Sequence, residues 1–587
     1  MKKMLLAAVA ALMMAAPAFS QRAVVDSGSA DTYAFRDRRE NVKPSEIKVL
    51  TQNGEKVYDV EVFQADRTHY MVSLGFLNTA PVKKGDTMLA RIRLRTFYAR
   101  QETGESAVTI YFQESSAPYS KSFSTAIGSG PEWRDFDIPF KAHQDFAPGE
   151  AVVELGLASL SQHIQIAGVQ ILDYGPDKPL SELPMTRFTY AGREENAPWR
   201  AEALKRIEEN RTAPVTETVK DAKGKALKGA DVHIRMTRSD FLWGSAVNAP
   251  RMFQGGKPDS MYVSVLKEFF NTAILGNGLK AGGWYWDDNR KESSLRTFNW
   301  LYDNGFRIRG HNLVWPAWKF NPRAARIIAH ENPEVFDDYV KAQFYERMAF
   351  TKGRVVAWDV VNEPMHEQEF LEFLPKDVMV DWFKLAKRLD PDAQLFINEY
   401  AMLNRVQSPD NIRAYIDMIQ DLLSKGAPVE AVGVQGHIGT QPRAPELVLT
   451  DLDLFKPLGL PVQITEWDIN TKDEELQAEY SRDFLIAVYS HPVVTGVNMW
   501  GFWEADHWKP DAALFRRDWS IKPNGEVWKE LVLGAWKTDV SVRSDKRGNA
   551  QTRAHLGDYE ITVSYKGREY KTTTHVGKEG VSLDVAF

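Results

Sequence analysis

Between residues 240 and 536, short apolar runs alternate with longer segments whose apolar residues recur at helical spacing. The runs are rich in β-branched residues and have polar flanks, as buried strands do. The intervening segments, such as 333–350 and 378–389, carry amphipathic patterns and Pro, Ser or Asp start signals. Eight strand–helix units in about 300 residues predict a (β/α)₈ barrel over 240–536. The eight runs are 241–247, 272–276, 307–315, 355–362, 394–400, 431–437, 461–468 and 496–502.

The rest of the chain follows the period of two that is typical of strands. Residues 22–175 predict a sandwich of short strands separated by Gly, Pro, Asn and Asp turns. The connector at 176–212 contains a predicted helix over 198–210. Strand patterns return at 213–239 and 537–587, and neither piece is long enough for its own core. We therefore expect a multidomain protein in which these two pieces pair into one small sandwich that brackets the barrel.

The first 20 residues have the pattern of a secretory signal peptide. Lys2 and Lys3 precede an apolar stretch at 4–16, and a small-x-small cleavage site ends at Ser20, so the mature chain is expected to begin near Gln21. The chain contains no cysteine, and export without disulfides suits a bacterial periplasmic or secreted protein. A net charge of −6 and the lack of a later 18-residue apolar run give no reason to expect nucleic acid or a membrane anchor. The pattern leaves the oligomeric state open.

The two most informative residues of the chain are glutamates, each located in a short apolar run that is predicted to be a buried strand. Glu363 lies at the end of the run 355–364, and Glu466 lies in the run 461–469, about a hundred residues later. A carboxylate where a buried strand emerges is costly unless it is paired or used. The alternative interpretation is that each glutamate forms a buried salt bridge. Two such carboxyls at one barrel mouth are the equipment of glycoside hydrolysis.

Six short motifs give this barrel a specific resemblance to glycoside hydrolase family 10, the retaining endo-β-1,4-xylanases. They occur in the order of the family and span about half of the chain. The resemblance implies that Glu363 is the general acid/base and that Glu466 is the nucleophile. The motifs are GHNLVW at 310–315, WDVVNE at 358–363, NEY at 398–400, GVQGH at 433–437, ITEWDI at 464–469 and VNMWG at 497–501.

The same resemblance implies a set of residues that hold the sugar at the cleaved bond. Asn362 is expected to bind the sugar 2-hydroxyl. The residues themselves add a further expectation: Asp468 lies two positions after Glu466 on the same strand face, so His437 at the mouth is expected to bridge both carboxylates and keep the nucleophile charged. Asn398 and Tyr400 are expected to support the site. The remaining implied sugar contacts are Asn277, Lys280, His311, Trp315, Gln435, Trp500 and Trp508. For Trp500 and His311 a plain core role is the alternative.

No cluster of Cys, His or Asp has metal-ligand spacing, and no glycine-rich phosphate loop follows a strand. A cofactor or metal is therefore not implied. The expected partner is a polysaccharide or oligosaccharide substrate.

The chain departs from the family pattern on the non-reducing side of the cleaved bond. After the second strand the family usually has Glu-Asn-x-x-Lys-Trp, whereas this chain has Gly276 and Ala281 at the glutamate and tryptophan positions. The third-strand motif, which usually ends in Trp-His, ends here in Trp315 and Pro316. The catalytic residues are thus expected to be intact, while the contacts that select the sugar are altered.

The segment 22–175 resembles the family 4/9/22 type of carbohydrate-binding module. The resemblance rests on WRDF at 133–136 and on the closing strand pattern at 166–175, which are framework features.

Taken with the barrel motifs, these features lead us to expect an exported, retaining β-glycanase acting on xylan or a related, possibly decorated, plant β-glycan. The alternatives are an exo-acting or non-xylan β-glycosidase and a catalytically silent glycan-binding protein on the same barrel.

Overall fold

The structure is a computed structural model that describes residues 21–587, except residues 31, 188, 254–256, 286 and 405–408. The signal peptide predicted over 1–20 lies outside the described residues. The chain divides into two compact units, 1–187 and 188–587, and every predicted site residue belongs to the second.

The first unit is a β-sandwich, as the period of two predicts. Its strands are β1 (Arg22–Asp26), β2 (Ala34–Asp37), β3 (Glu46–Gln52), β4 (Glu55–Val62), β5 (Val72–Leu77), β6 (Thr87–Ala99), β7 (Val108–Glu114), β8 (Lys121–Ile127), β9 (Arg134–Lys141), β10 (Ala151–Gly156) and β11 (Gln162–Asp173). One antiparallel sheet has the order β3-β4-β11-β6-β9, with β1 paired to β11, and the other has the order β2-β5-β10-β7-β8. Val60 and Ile166 of one sheet and Leu74 and Leu155 of the other are fully buried, as an alternating inner face requires.

The second unit begins with a connector that docks on the barrel. Helix α1 (Pro198–Arg211) starts with proline, whose missing N–H costs nothing in a first helical turn. Tyr190 Oη donates to Asp483 Oδ2 at 2.9 Å, and Arg200 Nη2 lies 2.8 Å from the same oxygen. Strands β12 (Thr212–Lys220) and β13 (Asp231–Ser239) follow.

The barrel prediction is confirmed. Its strands are β14 (Leu242–Ala246), β15 (Thr272–Ile274), β16 (Arg307–Gly310), β17 (Ala357–Asn362), β18 (Gln394–Glu399), β19 (Ala431–Val434), its short continuation β20 (His437–Ile438), β21 (Val462–Ile469) and β22 (Val494–Met499). Neighbours pair in parallel, and the ring closes where β14 pairs with β22 and β19 pairs with β21. The carboxyl ends of the strands therefore meet at one mouth, where such barrels place their working residues.

Helices surround the barrel. They are α2 (Ala249–Met252), α3 (Ser260–Phe269), α4 (Ala281–Tyr285), α5 (Asp288–Asp303), α6 (Arg323–Glu331), α7 (Phe336–Thr351), α8 (Val378–Leu389), α9 (Pro409–Ser424), α10 (Pro445–Asp453), α11 (Glu474–Ser490) and α12 (Pro523–Trp528), which continues into a π-helical segment, Lys529–Ala535. Asp259 and Asp473 cap α3 and α11 by accepting from the first free backbone N–H groups. Among the described residues, no helix combines the length and apolar character needed to cross a membrane.

The end of the chain forms a small sandwich with the strands that precede the barrel. It contributes β23 (Asp539–Arg543), β24 (Asn549–His555), β25 (Gly557–Tyr565), β26 (Arg568–Val576) and β27 (Val581–Ala586). The two sheets have the orders β24-β12-β27 and β23-β13-β25-β26. Val215, Ile234 and Ile561 are fully buried in this core. A chain segment before the barrel thus closes on a segment after it.

Candidate active site

Glu363 is the residue that follows β17, and Glu466 lies within β21, three strands further round the ring. Glu363 has a φ of 59°, and its N–H donates to Asn398 O at 2.7 Å. A left-handed conformation at a residue other than glycine costs of order 1–3 kcal/mol and persists only where the surroundings enforce it. The strand end therefore holds the Glu363 carboxyl in one direction.

The Glu363 carboxyl is buried and accepts two hydrogen bonds. Trp315 Nε1 donates to Oε2 at 2.8 Å, and Gln435 Nε2 donates to Oε1 at 2.7 Å. Burial, and then the negative charges of Glu399 and Glu466, raise the pKa of Glu363 to about 8. This carboxyl therefore keeps its proton at neutral pH.

Glu466 is equally buried, but its surroundings favour the charged form. Asn398 Nδ2 donates to Oε1 at 2.9 Å, and His437 Nε2 lies 3.4 Å from Oε2. Burial by itself raises the pKa of a carboxyl, but the hydrogen bond with His437 and nearby positive charges, including that of Lys280, outweigh it and lower the pKa of Glu466. The two carboxyls are thus held in opposite protonation states.

His437 lies between Glu466 and Asp468. Its Nδ1 is 3.1 Å from Asp468 Oδ2, and the same oxygen accepts from Trp508 Nε1 at 2.7 Å. Burial lowers the pKa of an imidazole, yet the charge of Asp468 and the hydrogen bonds to both carboxylates raise the pKa of His437 to about 10. A protonated His437 therefore faces Glu466, and the half-exposed Trp508 is fixed at the site by its indole N–H.

Asn398 connects two site residues from the inside of the barrel. Its Nδ2 donates both to Glu466 Oε1 at 2.9 Å and to Asn362 Oδ1 at 2.8 Å. Its Oδ1 accepts from Thr465 Oγ1 at 2.6 Å, which fixes the amide orientation. Asn362 Nδ2 is buried and has no hydrogen-bond partner among the described residues. That amide N–H is a donor available to a ligand hydroxyl.

His311 is oriented by a second buried charge cluster. Its Nδ1 lies 2.7 Å from Asp359 Oδ2, and Arg309 donates to the other oxygen of the same carboxylate. Burial, together with the charge of Lys280, lowers the pKa of His311, so the ring is neutral. Because Nδ1 must donate to Asp359, Nε2 is left as an acceptor, 4.0 Å from Glu466 Oε1.

Aromatic rings wall the site. Lys280 Nζ lies 4.4 Å from the ring centre of Trp315 and 5.4 Å from that of Trp500. Trp500 also meets His311 edge to face, with ring centres 4.9 Å apart, and Trp315 stacks on Phe320. An ammonium between two indole faces is attracted by both rings and is held in place.

Tyr400, predicted as a support, belongs to a group centred on the fully buried Glu399. Glu399 accepts from the N–H of Met365 and of Tyr400, each at 2.9 Å. His366 Nδ1 lies 2.8 Å from Glu399 Oε1, and the His366 ring stacks on Tyr400 with centres 4.0 Å apart. This group supplies the negative charge that acts on Glu363.

A cleft of about 480 Å³ opens beside Trp500 and Trp508, at Gly276. Gly276 has a φ of +44°, and a Cβ there would lie 3.2 Å from Val247 O. Ala281 is the first residue of α4 and is buried. Neither Gly276 nor Ala281 therefore supplies the large side chain that the family usually has at its position. The polar and aromatic lining residues include Asn248, Asn277, Arg290, Trp500, Asp506 and Trp508.

The structure brings every predicted site residue to one barrel mouth or its adjoining cleft. Sequence reasoning missed Asp359, Arg309, Thr465, Glu399 and His366. Asp359, Glu399 and Thr465 stand inside the six family motifs, where a polar residue in an otherwise apolar strand was the available signal. Within the described ranges, no group of three or more His, Cys, Asp or Glu side chains has the arrangement of a metal site.

A closed parallel barrel with two carboxyls at its mouth is typical of glycoside hydrolases. A family model described as Glycosyl hydrolase family 10 matches residues 234–528, just over half of the chain. The chain therefore belongs to glycosyl hydrolase family 10, and the predicted family is confirmed.

Several curated relatives share this region. The anti-sigma-I factor RsgI6 of Acetivibrio thermocellus is 29% identical over 398 residues, which cover 66% of this chain and 50% of that protein. Endo-1,4-beta-xylanase 1 of Arabidopsis thaliana is 28% identical over 340 residues, which cover 57% of this chain and 34% of that protein. The chain thus spans half or less of the length of these two relatives.

Among solved structures, xylanase 10B from Thermotoga petrophila, determined in complex with xylobiose, is 24% identical with a TM-score of 0.45. The match covers 50% of this chain and 95% of that one.

Proposed function

We propose that the protein is a retaining β-glycanase of the endo-β-1,4-xylanase kind, acting on xylan or a related plant β-glycan. One observation carries the proposal: Glu363 and Glu466 share one barrel mouth, and their surroundings push their pKa values in opposite directions. Family membership and the relatives named as xylanases support the substrate class.

In the first step, Glu363 acts as the acid and Glu466 as the nucleophile. The Glu363 proton passes to the glycosidic oxygen while the bond from that oxygen to C1 breaks. A Glu466 oxygen forms the new bond to C1, which gives a covalent glycosyl-enzyme. His437 keeps Glu466 ionised before the attack.

In the second step, Glu363 acts as the base. Once Glu466 is an ester it no longer carries a charge, so one of the causes that raise the pKa of Glu363 disappears. The ionised Glu363 takes a proton from a water molecule whose oxygen attacks C1, and Glu466 leaves as a carboxylate. Two displacements at C1 retain the anomeric configuration.

The groups left without partners would hold the sugar. Asn362 Nδ2 would donate to the 2-hydroxyl, a bond that strengthens as positive charge develops at C1. His311 Nε2 would accept from a neighbouring hydroxyl, and Trp500 would cover a sugar face.

The proposal is tested by the stereochemistry of the first product. Proton NMR of xylo-oligosaccharide hydrolysis should show the β-anomer of the new reducing end before mutarotation. First appearance of the α-anomer would overturn the retaining assignment. Stable glycan binding without turnover of any β-glycan or aryl β-xyloside would instead favour a silent binding protein.

The cleft at Gly276 favours a second candidate, a β-glycosidase whose preferred substrate is a decorated xylan or a different β-glycan. The altered positions lie next to the site while the carboxyls are unchanged. A panel of β-glycans with product sizes measured separates endo from exo action and xylan from other chains.

Export is a further part of the proposal, and it rests on the signal pattern of the first 20 residues.

A further inference from the structure

The first unit has a cleft of its own, on the sheet β2-β5-β10-β7-β8. Its volume is about 820 Å³, within the range of about 300–1,000 Å³ that ligand sites occupy. The lining includes residues from all five strands of the sheet. Four spacings of about 4.8 Å give a width of about 19 Å, enough for a run of several sugar rings.

Buried polar groups form the floor of this cleft. Gln113 and Glu154 are 5% and 7% exposed, and Gln113 Nε2 donates to Glu154 Oε2 at 3.2 Å. Gln113 Oε1 is buried and accepts from no group in the described part of the chain. One row of cross-strand pairs runs over four strands of the sheet, in the order Leu77, Val152, Gln113 and Lys121. The floor therefore presents one unused acceptor beside a cation, on a single sheet face.

Three tyrosines with exposed rings line the same cleft. Tyr33, Tyr70 and Tyr119 are 40%, 49% and 51% exposed. Tyr119 has a φ of 60°, a conformation that an L-residue adopts only where the structure enforces it. Exposed aromatic faces present an apolar surface and a hydroxyl together, which suits the C–H faces and hydroxyls of sugars.

The charge of the cleft is positive. Arg38 lies 3.6 Å from Glu154 and also donates to Ser73 Oγ, so these two charges largely offset each other. Arg36 and Lys121 are exposed, and no described carboxylate lies within ion-pairing distance of either. They stand on β2 and β8, the two edge strands, so a positive charge marks each end of the cleft.

We propose that this cleft binds a polysaccharide that carries uronic acid sugars, with the tyrosines against sugar rings and Arg36 and Lys121 toward the carboxylates. A neutral glycan would use the tyrosines and Gln113 but would leave both cations unpaired. Carboxylates give charge-assisted hydrogen bonds, which are stronger than neutral ones. The proposal concerns binding by the first unit and does not rest on the activity proposed for the barrel.

The test uses the full chain carrying Glu466→Ala, so that bound glycan is not consumed. Affinity is measured by calorimetry for glucuronoxylan, for the same polymer after chemical reduction of its carboxyl groups, and for polygalacturonate. We expect glucuronoxylan to bind at least about tenfold more tightly than its reduced form. The difference should shrink as salt rises, because ion pairs at an exposed cleft are screened. The polygalacturonate arm shows whether a main-chain uronate serves as well as a branch.

Variants locate the binding. Arg36→Ala with Lys121→Ala should abolish the preference for the unreduced polymer, whereas Tyr119→Ala should weaken both polymers. The matched control, Lys48→Ala with Lys84→Ala, removes two exposed cations elsewhere on the same unit and should change nothing. Equal affinity for reduced and unreduced glucuronoxylan, with no binding of polygalacturonate, would overturn the proposal whatever the variants do. So would a carboxylate preference that survives loss of Arg36 and Lys121.

Discussion

Glu466 and His437 form a buried pair in which Oε2 of the carboxylate lies 3.4 Å from Nε2 of the imidazole. The pKa of Glu466 is lowered and that of His437 is raised to about 10, so both are charged at neutral pH. Asp468, 3.1 Å from Nδ1, supplies the compensating charge for the imidazolium. The charge state of the proposed nucleophile therefore depends on its neighbour.

Replacing His437 by Asn should make the enzyme more sensitive to acid. Loss of the cation raises the pKa of Glu466, so the fall of kcat/KM on the acid side moves to higher pH. At neutral pH the loss of one charge-assisted hydrogen bond, of about 1.5–3 kcal/mol, should lower kcat/KM roughly ten- to hundredfold. His491→Asn removes another buried imidazole, paired with Asp453, and should leave the acid limb unchanged. An unshifted acid limb in His437→Asn would contradict this role.

Replacing Glu399 by Gln should shift the opposite limb. The charge of Glu399 is, after burial, the next cause that raises the pKa of Glu363 to about 8. Without that charge Glu363 loses its proton at lower pH, so kcat/KM on xylan should fall earlier on the alkaline side. Glu367→Gln neutralises another buried carboxylate, paired with Lys319, and serves as the control. The measurement is kcat/KM against pH for both variants on the same substrate. An alkaline limb that does not move in Glu399→Gln would contradict this role.

Glu363→Ala and Glu466→Ala should differ on activated substrates. General acid catalysis contributes about 10²–10⁴-fold, so Glu363→Ala should lose that much on xylan but far less on an aryl glycoside with a good leaving group. External azide should restore its turnover, because it replaces the water that needs a base. Glu466→Ala should lose activity on both substrates. Identical behaviour of the two variants on the aryl glycoside would show that the roles are assigned wrongly.

The barrel could be predicted because its pattern is repetitive and local. Each strand is a short β-branched run bounded by polar residues, and each helix has an apolar stripe, so the eight runs and the strands of the structure coincide within a few residues. The positions of Glu363 and Glu466 followed from the same rule, since barrel strands deliver their last residues to one mouth.

The partners of those glutamates depend on contacts between distant segments. Glu399 stands within a run of buried strand residues, and nothing local shows that its charge acts on Glu363 rather than on an adjacent cation. Arg309 and Asp359 are 50 residues apart and meet only when β16 and β17 pair. Gln113 likewise meets Glu154 only when β7 and β10 pair. These contacts cannot be predicted from the sequence, because a hydrophobic pattern indicates which residues are buried but not which distant residues they contact.

The cleft at Gly276 predicts weak use of plain xylan. A glutamate at this position would accept charge-assisted hydrogen bonds from the second sugar, each contributing about 1.5–3 kcal/mol. Gly276 makes none, so kcat/KM on unsubstituted linear xylo-oligosaccharides should be about tenfold or more below that on a decorated or different β-glycan of equal length. Matched pairs of oligosaccharides, with and without one substituent, measure the ratio directly. A ratio near one would mean that other residues of the cleft rebuild the contact.

A buried carboxyl outside the active site makes stability depend on pH. Glu217 is fully buried in the small sandwich, and neither of its oxygens has a partner among the described residues. Burial, and then the charge of Asp584, raise the pKa of Glu217 from 4.5 to about 7. Below pH 4.5 the group is protonated whether folded or not, so it imposes no titration cost. Between the two values only the unfolded chain ionises, so stability falls as pH rises, and the loss is complete above pH 7.

Glu217→Leu should therefore stabilise the protein, and by more at pH 8 than at pH 5. The shift in pKa corresponds to a gain of about 3 kcal/mol at most between the two extremes. Urea midpoints of variant and parent at both pH values measure the difference. Glu569→Gln removes an exposed carboxyl from the same sandwich and should give a small effect that does not change with pH. A stabilisation that is equal at pH 5 and pH 8 would mean that the gain comes from packing alone, and that Glu217 does not titrate on unfolding.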